Sequence, residues 1–225
     1  MSQSKEKKQI EEGQLRILKP FGPSIARTTI PKTLVEKLNN YIDKIIEDER
    51  KAKKLDLGAD LVGNVTQEFE LEKDFSKEVG WESFLKRGIE SWISFATGKK
   101  INSFELINTW VVRQFKNEYN PMHWHSGHIS GVGYLKVPKS FGKTVQKVKE
   151  EKKLVNLNGN LQLIHGTRMF LCDSTATFKP EVGDFYFFPN YMMHTVYPFS
   201  ESNDERRSIS FNANVDPEIY NVYGK

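Results

Sequence analysis

Residues 183–199 read GDFYFFPNYMMHTVYPF, and this stretch sets the class of fold that we expect. A turn at Gly183 leads into a run of aromatic residues that ends at Pro189, and a second short run begins at His194. Short aromatic and β-branched runs separated by turn residues are typical of β structure. The stretch therefore predicts two consecutive strands.

The same pattern of short apolar runs continues through the C-terminal half of the chain. Further runs of this kind are ELINTWVVRQF, ISGVGYLKV, LQLIHG, RMFLC and RRSISFNANV. Because no helical pattern separates these runs, they argue against alternating βαβ units and favour an antiparallel sandwich or barrel. We therefore predict a β core over about residues 103–215.

The N-terminal half carries helical patterns instead. Pro31 opens a segment whose apolar residues recur at helical spacing as far as Ile46. A second helical face extends over about residues 75–97, although two glycines weaken it. The intervening residues 55–71 (LDLGADLVGNVTQEFEL) are predicted to be a loop. We expect a mainly β fold with N-terminal helices over about residues 31–97, packed on one face of the sheets.

Length and composition bound the organisation and the location of the protein. The 225 residues fit one domain, which we place at residues 14–225 after a flexible charged tail at 1–13, with a solvated charged loop at 139–153. The net charge of +4 gives no strong support for nucleic-acid binding. A single cysteine, Cys172, and the lack of a signal-like or bilayer-length apolar run predict a cytoplasmic location without a membrane partner.

Three of the five histidines lie within six residues of one another, just before a predicted strand. Residues two apart in an extended segment point the same way, so His123 and His125 can face one interior while Trp124 caps it or faces outward. His128 is out of phase with this pair. Together with the distant His194, the pair predicts a metal site, although imidazole suits iron, zinc, copper and nickel alike. The alternative is that these histidines are structural.

The strand RRSISFNANV carries a candidate anion site. Alternate residues of a strand share a face, and one face here carries Arg206, Ser208, Ser210 and Asn212. An arginine and a serine that project together can clamp a carboxylate, because guanidinium bonds it bidentately and the hydroxyl adds a donor. In the alternative reading, Arg206 only forms a surface ion pair with Asp204 or Glu205.

These motifs, in this order, resemble the 2-oxoglutarate/Fe(II)-dependent oxygenase superfamily. The motifs are HWH at 123–125, SGVGYL at 130–135, the stretch 183–199 and RRSISFN at 206–212. More specifically, they resemble a family of oxygenases common in phage and marine bacterial genomes, related to the prolyl hydroxylase-like group. The resemblance implies a double-stranded β-helix (jelly roll, cupin-like) core, Fe(II) and 2-oxoglutarate as cofactors, and ascorbate as the reductant in vitro.

The resemblance also implies roles for individual residues. His123 matches the first iron ligand and His194 the distal ligand. Arg206 with Ser208 matches the pair that holds the far carboxylate of 2-oxoglutarate, and Arg206 is preferred to Arg207 because it alone has a serine two positions on. Candidate contacts of 2-oxoglutarate or of the ligands are Asn108, Gln114, Tyr119 and Tyr134.

One position departs from the superfamily pattern. An aspartate or glutamate usually lies two residues after the first histidine, and this chain has His125 there. Three histidines leave the site one negative charge short of the usual triad of two histidines and a carboxylate. His125 is then a third ligand, a support for the ligands or a substrate contact. Asp173 and Asp184 are candidate substitutes for the carboxylate.

The implied reaction is hydroxylation of an unactivated C–H bond, with succinate and CO2 as coproducts. The partners are 2-oxoglutarate, O2 and a substrate that is either a peptidyl residue, with proline as one candidate, or a small molecule. A phage-encoded enzyme would act in the host cytoplasm. Two alternatives stay open: a cupin-type metalloenzyme without 2-oxoglutarate, which normally adds a glutamate where this chain has Ile129 and Ser130, and a non-catalytic jelly-roll binding module.

Overall fold

The computed structural model describes residues 13–18, 22–58, 63–139, 141 and 157–221. The predicted tail, apart from Gly13, and most of the predicted charged loop at 139–153 lie outside the described residues. The helices are α1 (Lys32–Glu47), α2 (Glu49–Leu55), α3 (Lys73–Glu78), α4 (Trp81–Thr97) and α5 (Pro217–Tyr220). The strands are β1 (Arg16–Leu18), β2 (Ile25–Thr29), β3 (Gln67–Glu70), β4 (Phe104–Gln114), β5 (Asn120–His123), β6 (Ile129–Lys136), β7 (Leu161–Ile164), β8 (Thr175–Phe178), β9 (Asp184–Pro189), β10 (Met193–Val196) and β11 (Arg206–Val215).

The strands form two antiparallel sheets. The large sheet has the order β1-β2-β9-β6-β11-β4-β3, and the small sheet has the order β5-β10-β7-β8. This arrangement confirms the mainly β class with N-terminal helices. Within the part of the chain that the structure describes, no helix combines the length and the apolar character needed to cross a bilayer.

The two faces of the large sheet pack against two different hydrophobic clusters. On one face, Ile209 and Phe211 of β11 pack in a core cluster with helix residues such as Leu38, Trp81 and Leu85. On the other face, a second cluster joins the large sheet to the small one. Its members include Val132, Tyr134, Leu161, Leu163, Tyr186, Phe188 and Val196. The helices thus cover one side of the large sheet, and the small sheet covers the other.

Two predictions about the N-terminal half are wrong in detail. The predicted loop 55–71 contains β3, which pairs with β4 and buries Phe69 against it. The predicted helix over residues 75–97 is two helices, because Gly80 adopts a left-handed conformation with φ of 89° between α3 and α4. Only the first difference bears on the functional site, because β3 contributes a side chain to it.

In the C-terminal half, the run RMFLC is not a strand. Met169 and Cys172 form an isolated bridge that closes a tight turn, and Leu171 has a φ of 62°. Phe170 and Leu171 at its tip are 92% and 91% exposed. Conversely, β5 and β8 are strands that the sequence patterns did not reveal.

Candidate metal centre

Backbone pairing brings the first and last of the predicted histidine ligands together. His123 ends β5 and lies directly opposite His194 of β10. His125 lies just beyond β5, where its N–H donates to the Asn190 carbonyl at 3.1 Å and the Asn190 amide donates to the His125 carbonyl at 3.2 Å. One ring nitrogen from each histidine lies within 4.8 Å of the other two. The three side chains could therefore hold one metal ion.

Backbone carbonyls orient two of the three rings. Nδ1 of His123 lies 2.7 Å from the Pro121 carbonyl, and Nδ1 of His194 lies 2.9 Å from the Met192 carbonyl. Each Nδ1 donates its proton there, which leaves the Nε2 lone pair free for a metal. The Nε2 of His125 is 3.1 Å from the Nε2 of His194. The donor atoms thus converge on one point.

Burial keeps these imidazoles neutral. It lowers the pKa of His123, and it lowers the pKa of His125 to about 4, with a further contribution from His123. The pKa of His194 is held well below its ordinary value by burial and by its two histidine neighbours. Because a metal binds the deprotonated ring, all three groups are ready to ligate at neutral pH.

The histidines line a cavity of about 290 Å³ between the two sheets. Trp110 forms part of the wall, with its ring centroid 5.3 Å from that of His125. Trp124 lies at the rim and is 62% exposed. Polar side chains on the lining include Glu68, Asn108, Asn120, Ser126, Ser208 and Asn212. The cavity could thus hold a metal ion, and its lining is rich in hydrogen-bonding groups.

Arg206 provides a buried cation on the same face of β11 as the cavity residue Ser208. The side chain is 1% exposed; its Nη1 donates to Gln114 Oε1 at 2.7 Å, and its guanidinium carbon lies 4.9 Å from the centre of the Tyr134 ring. Among the described residues, its Nε and Nη2 and the Tyr134 hydroxyl have no hydrogen-bond partner. Unpaired buried donors are costly, so these atoms fit an anionic ligand such as a carboxylate of 2-oxoglutarate.

Arg207 occupies the opposite face and has a different role. It bonds Glu205 at 2.7 Å and Asp43 of α1 at 2.7 Å, and its Nη1 donates to Asn39 Oδ1 at 3.0 Å. The ion pair with Glu205 that was the alternative for Arg206 is made by Arg207 instead. Arg207 therefore ties β11 to α1.

The remaining predicted residues divide into two groups. Tyr134 lies against Arg206, and Asn108 lines the cavity. Tyr119 is 40% exposed, pairs through its backbone with Asn64, and is not brought to the cavity. Asp184 forms an ion pair with Arg27 at 2.7 Å, and the histidine group includes neither it nor Asp173.

Glu68 and Asn120 line the cavity but were not among the residues that the sequence motifs singled out. Glu68 belongs to β3, within the segment predicted to be a loop, and its side chain lines the cavity. The pattern QEFE alternates an acidic residue with buried Phe69, which is the one signal that a strand could be present.

Residues 108–212 match the model of a protein family described as "Putative 2OG-Fe(II) oxygenase". The match covers just under half of the chain and includes the three histidines and Arg206. The match and the shared fold described below support a 2-oxoglutarate-dependent dioxygenase whose cofactors are Fe(II) and 2-oxoglutarate, and the three histidines could hold the iron. The search of curated proteins found no match to the chain.

Solved structures share the fold of this oxygenase at low sequence identity. A prolyl-4-hydroxylase from Pseudomonas putida is 14% identical, with a TM-score of 0.56, over 84% of this chain and 91% of that one. A prolyl hydroxylase from Trichoplax adhaerens, in complex with a peptide fragment of the hypoxia inducible factor oxygen degradation domain, is 12% identical, with a TM-score of 0.54, over 94% and 87%. AviO1 from Streptomyces viridochromogenes Tue57 is 10% identical, with a TM-score of 0.55, over 87% and 90%.

Proposed function

We propose that this dioxygenase is a hydroxylase that binds iron through His123, His125 and His194, and the far carboxylate of 2-oxoglutarate through Arg206 and Ser208. The observation that carries the proposal is the convergence of three histidine nitrogens within 4.8 Å in a cavity that shares a face of β11 with a buried arginine. We further infer that the two sheets form the double-stranded β-helix of a single domain spanning residues 14–225.

The chain's own groups have distinct tasks in this proposal. Bound iron(II) and 2-oxoglutarate supply the oxidation of a C–H bond by O2, with succinate and CO2 as coproducts. The Nδ1–H bonds of His123 and His194 to backbone carbonyls hold both rings in the ligating orientation. Arg206 neutralises the far carboxylate of the cosubstrate, and the apolar walls formed by Trp110 and Phe188 exclude water from the reacting groups.

The histidine at position 125 changes the charge balance of the site. Three neutral imidazoles leave the positive charge of iron(II) uncompensated by its protein ligands, where a carboxylate ligand would remove part of it. The negative charge of 2-oxoglutarate then becomes the main compensation. This arrangement makes iron retention depend strongly on the cosubstrate.

For the substrate we favour a peptidyl residue, with proline as one candidate. The cavity of about 290 Å³ is at the small end for ligand cavities, which span roughly 300–1,000 Å³, and 2-oxoglutarate must share it. A single side chain entering from a larger molecule fits that space better than a second complete ligand. Trp124 at the rim is exposed and available to contact a polypeptide, and one structure of the same fold is a prolyl hydroxylase with a bound peptide.

The deciding experiment is an anaerobic titration of the protein with iron(II) and then with 2-oxoglutarate. We expect a charge-transfer absorption band on addition of the cosubstrate, followed by succinate release once O2 and ascorbate are added. A protein that gives neither the band nor succinate is not a 2-oxoglutarate-dependent hydroxylase. A cupin-type enzyme would turn over its substrate without 2-oxoglutarate, and a binding module would do neither.

A further inference from the structure

A carboxylate without a partner faces the cavity. Glu68 lies in β3 opposite Val112 of β4, its side chain is 2% exposed, and it lines the cavity. None of the described residues gives its carboxylate a hydrogen bond or an ion pair.

The protein groups around Glu68 disfavour the charged form of its carboxylate. Burial raises the pKa of Glu68 to about 7, and the negative charge of Asp56 adds to the effect. A buried carboxylate normally has a cation or several donors to replace its lost hydration. Because no described residue supplies a cation or donors to Glu68, we look to a bound ligand for them.

Two further buried acceptors line the same cavity. The Oδ1 atoms of Asn108 and Asn120 are buried and have no hydrogen-bond partner among the described residues. At Gly63, an added Cβ would come within 2.2 Å of Asn120 Oδ1 and 3.2 Å of Glu68 Oε1, so these two oxygens converge on the glycine. Glycine keeps this corner of the cavity open for them. This part of the cavity lining thus presents hydrogen-bond acceptors to a ligand that enters the cavity.

Neither the cosubstrate nor the metal supplies hydrogen-bond donors to these acceptor oxygens. 2-Oxoglutarate carries only acceptor oxygens, which suit the donors of Arg206 and Ser208 and would be repelled by an ionised Glu68. Glu68 is also outside the group of three histidines whose nitrogens converge on a metal position. The substrate is the remaining ligand that can supply a donor or a cation.

We propose that Glu68 is a specificity-determining residue that binds an ammonium or guanidinium group of the substrate. This inference rests on the proposed function and narrows its substrate class to polypeptide segments with a lysine or arginine at or beside the oxidised residue. Such a side chain brings a positive charge and several N–H donors, which match the carboxylate of Glu68 and the nearby amide oxygen of Asn120.

The test uses capped peptides of one proline-containing frame that differ at one position beside the proline. That position carries lysine, arginine, or the neutral counterparts norleucine and citrulline. Binding is followed anaerobically as the change that each peptide causes in the charge-transfer band of the iron(II)–2-oxoglutarate protein, and turnover as peptide-dependent succinate release. We expect wild-type protein to bind a cationic peptide at least about tenfold more tightly than its neutral counterpart.

Glu68→Gln should remove this preference and leave the affinity for 2-oxoglutarate unchanged. Glu70→Gln is the matched control, because Glu70 lies two residues along β3, is only half-buried and does not line the cavity. A wild-type protein that forms the band but binds both peptide types equally overturns the role of Glu68 alone. The same conclusion follows if E68Q keeps the preference, or if it weakens 2-oxoglutarate binding instead. A protein that forms no band overturns the proposed function as well.

Discussion

At the scale of single residues, the position that departs from the superfamily pattern is His125. We expect His125→Ala to weaken iron(II) binding at least about tenfold, because one of three converging donors is lost. His125→Asp should keep iron binding, because a carboxylate is the ligand that the superfamily pattern has there. Isothermal titration with iron(II) under anaerobic conditions measures both effects.

His128→Ala is the matched control for this substitution. His128 lies outside the histidine group, with its Nδ1 3.0 Å from the Val215 carbonyl and its ring stacked on Tyr220 at 4.1 Å. Iron affinity should therefore be unchanged in H128A. Unchanged iron affinity in H125A would mean that His125 supports the ligands or contacts the substrate rather than binding the metal.

Two adjacent arginines offer a second test at this scale. Arg206→Gln should lower the affinity for 2-oxoglutarate at least about tenfold, because it removes a buried charge-assisted contact to the far carboxylate. Arg207→Gln should leave that affinity intact and lower the free energy of unfolding by about 1–3 kcal/mol, because Asp43 and Glu205 each lose one charged hydrogen-bond donor while they keep Lys136 and Arg113. Charge-transfer titration and urea denaturation separate the two effects. The reverse outcome would make Arg207 the anion site.

At the scale of elements, the glycines of β6 are fixed by the strands on either side. A Cβ on Gly133 would lie 2.3 Å from Phe185 Cδ2 and 2.9 Å from the Asp184 carbonyl oxygen. We expect Gly133→Ala to destabilise the protein by about 1–3 kcal/mol through overpacking. Thermal unfolding should show this as a fall in Tm of about 2–4 °C for each kcal/mol.

A second substitution makes the cause of that loss testable. Phe185→Leu shortens the side chain nearest to the added methyl group. If steric crowding is responsible, the double variant G133A/F185L should lose less stability than the sum of the two single variants. Additive losses would point instead to the clash with the backbone carbonyl oxygen of Asp184.

The length and composition of the strands explain why the sequence predicted some elements and not others. The ten residues of β11 alternate clearly, so the pattern alone assigned Ser208 to one face and Ile209 to the other, as observed. The strands β3, β5 and β8 have only four residues each and at most two apolar ones, whereas the equally short β7 has three and β10 is flanked by apolar residues. Their identity comes from pairing with distant strands. The run RMFLC has strand-like composition, but no partner strand extends along it.

The candidate site follows the same division. The histidines were predictable because imidazoles spaced two apart, together with a distant third, form a chemical pattern in the sequence. Glu68 was not, because its role depends on the pairing of β3 with β4, which no local pattern encodes. Gln114, which accepts from Arg206, is likewise positioned by the pairing of β4 with β11. The link to phage and marine bacteria stays a prediction.

At the scale of the whole molecule, iron should stabilise the fold. A ligand that binds only the folded state at 100 times its Kd adds about 2.7 kcal/mol to the free energy of unfolding. Iron(II) under anaerobic conditions should therefore raise Tm by several degrees, and a chelator should reverse the gain. His194→Ala is the control, since a protein that has lost this ligand should unfold at the same temperature with and without iron(II). An equal gain in H194A would place the stabilising metal elsewhere.

The stability of the empty protein should also depend on pH through Glu68. Its pKa in the folded protein is about 7, above the ordinary value of 4.5 for a glutamate. Between these values the folded protein holds a proton that the unfolded chain has released, so the contribution of Glu68 to stability falls as pH rises from about 4.5 to about 7. Glu68→Gln removes this loss. The difference in Tm between E68Q and wild type should therefore be more positive at pH 8 than at pH 5.

Comparison of the two proteins at each pH isolates this group. Burial also raises the pKa of Asp184, but that residue is present in both proteins and its effect cancels in the difference. Glu70→Gln on the same strand is the control for replacing a glutamate of β3 outside the cavity. A Tm difference for E68Q that is the same at both pH values would mean that Glu68 finds a donor or cation within the protein itself. The carboxylate would then have no need of a cationic substrate group, so this measurement on the empty protein also tests the proposed specificity.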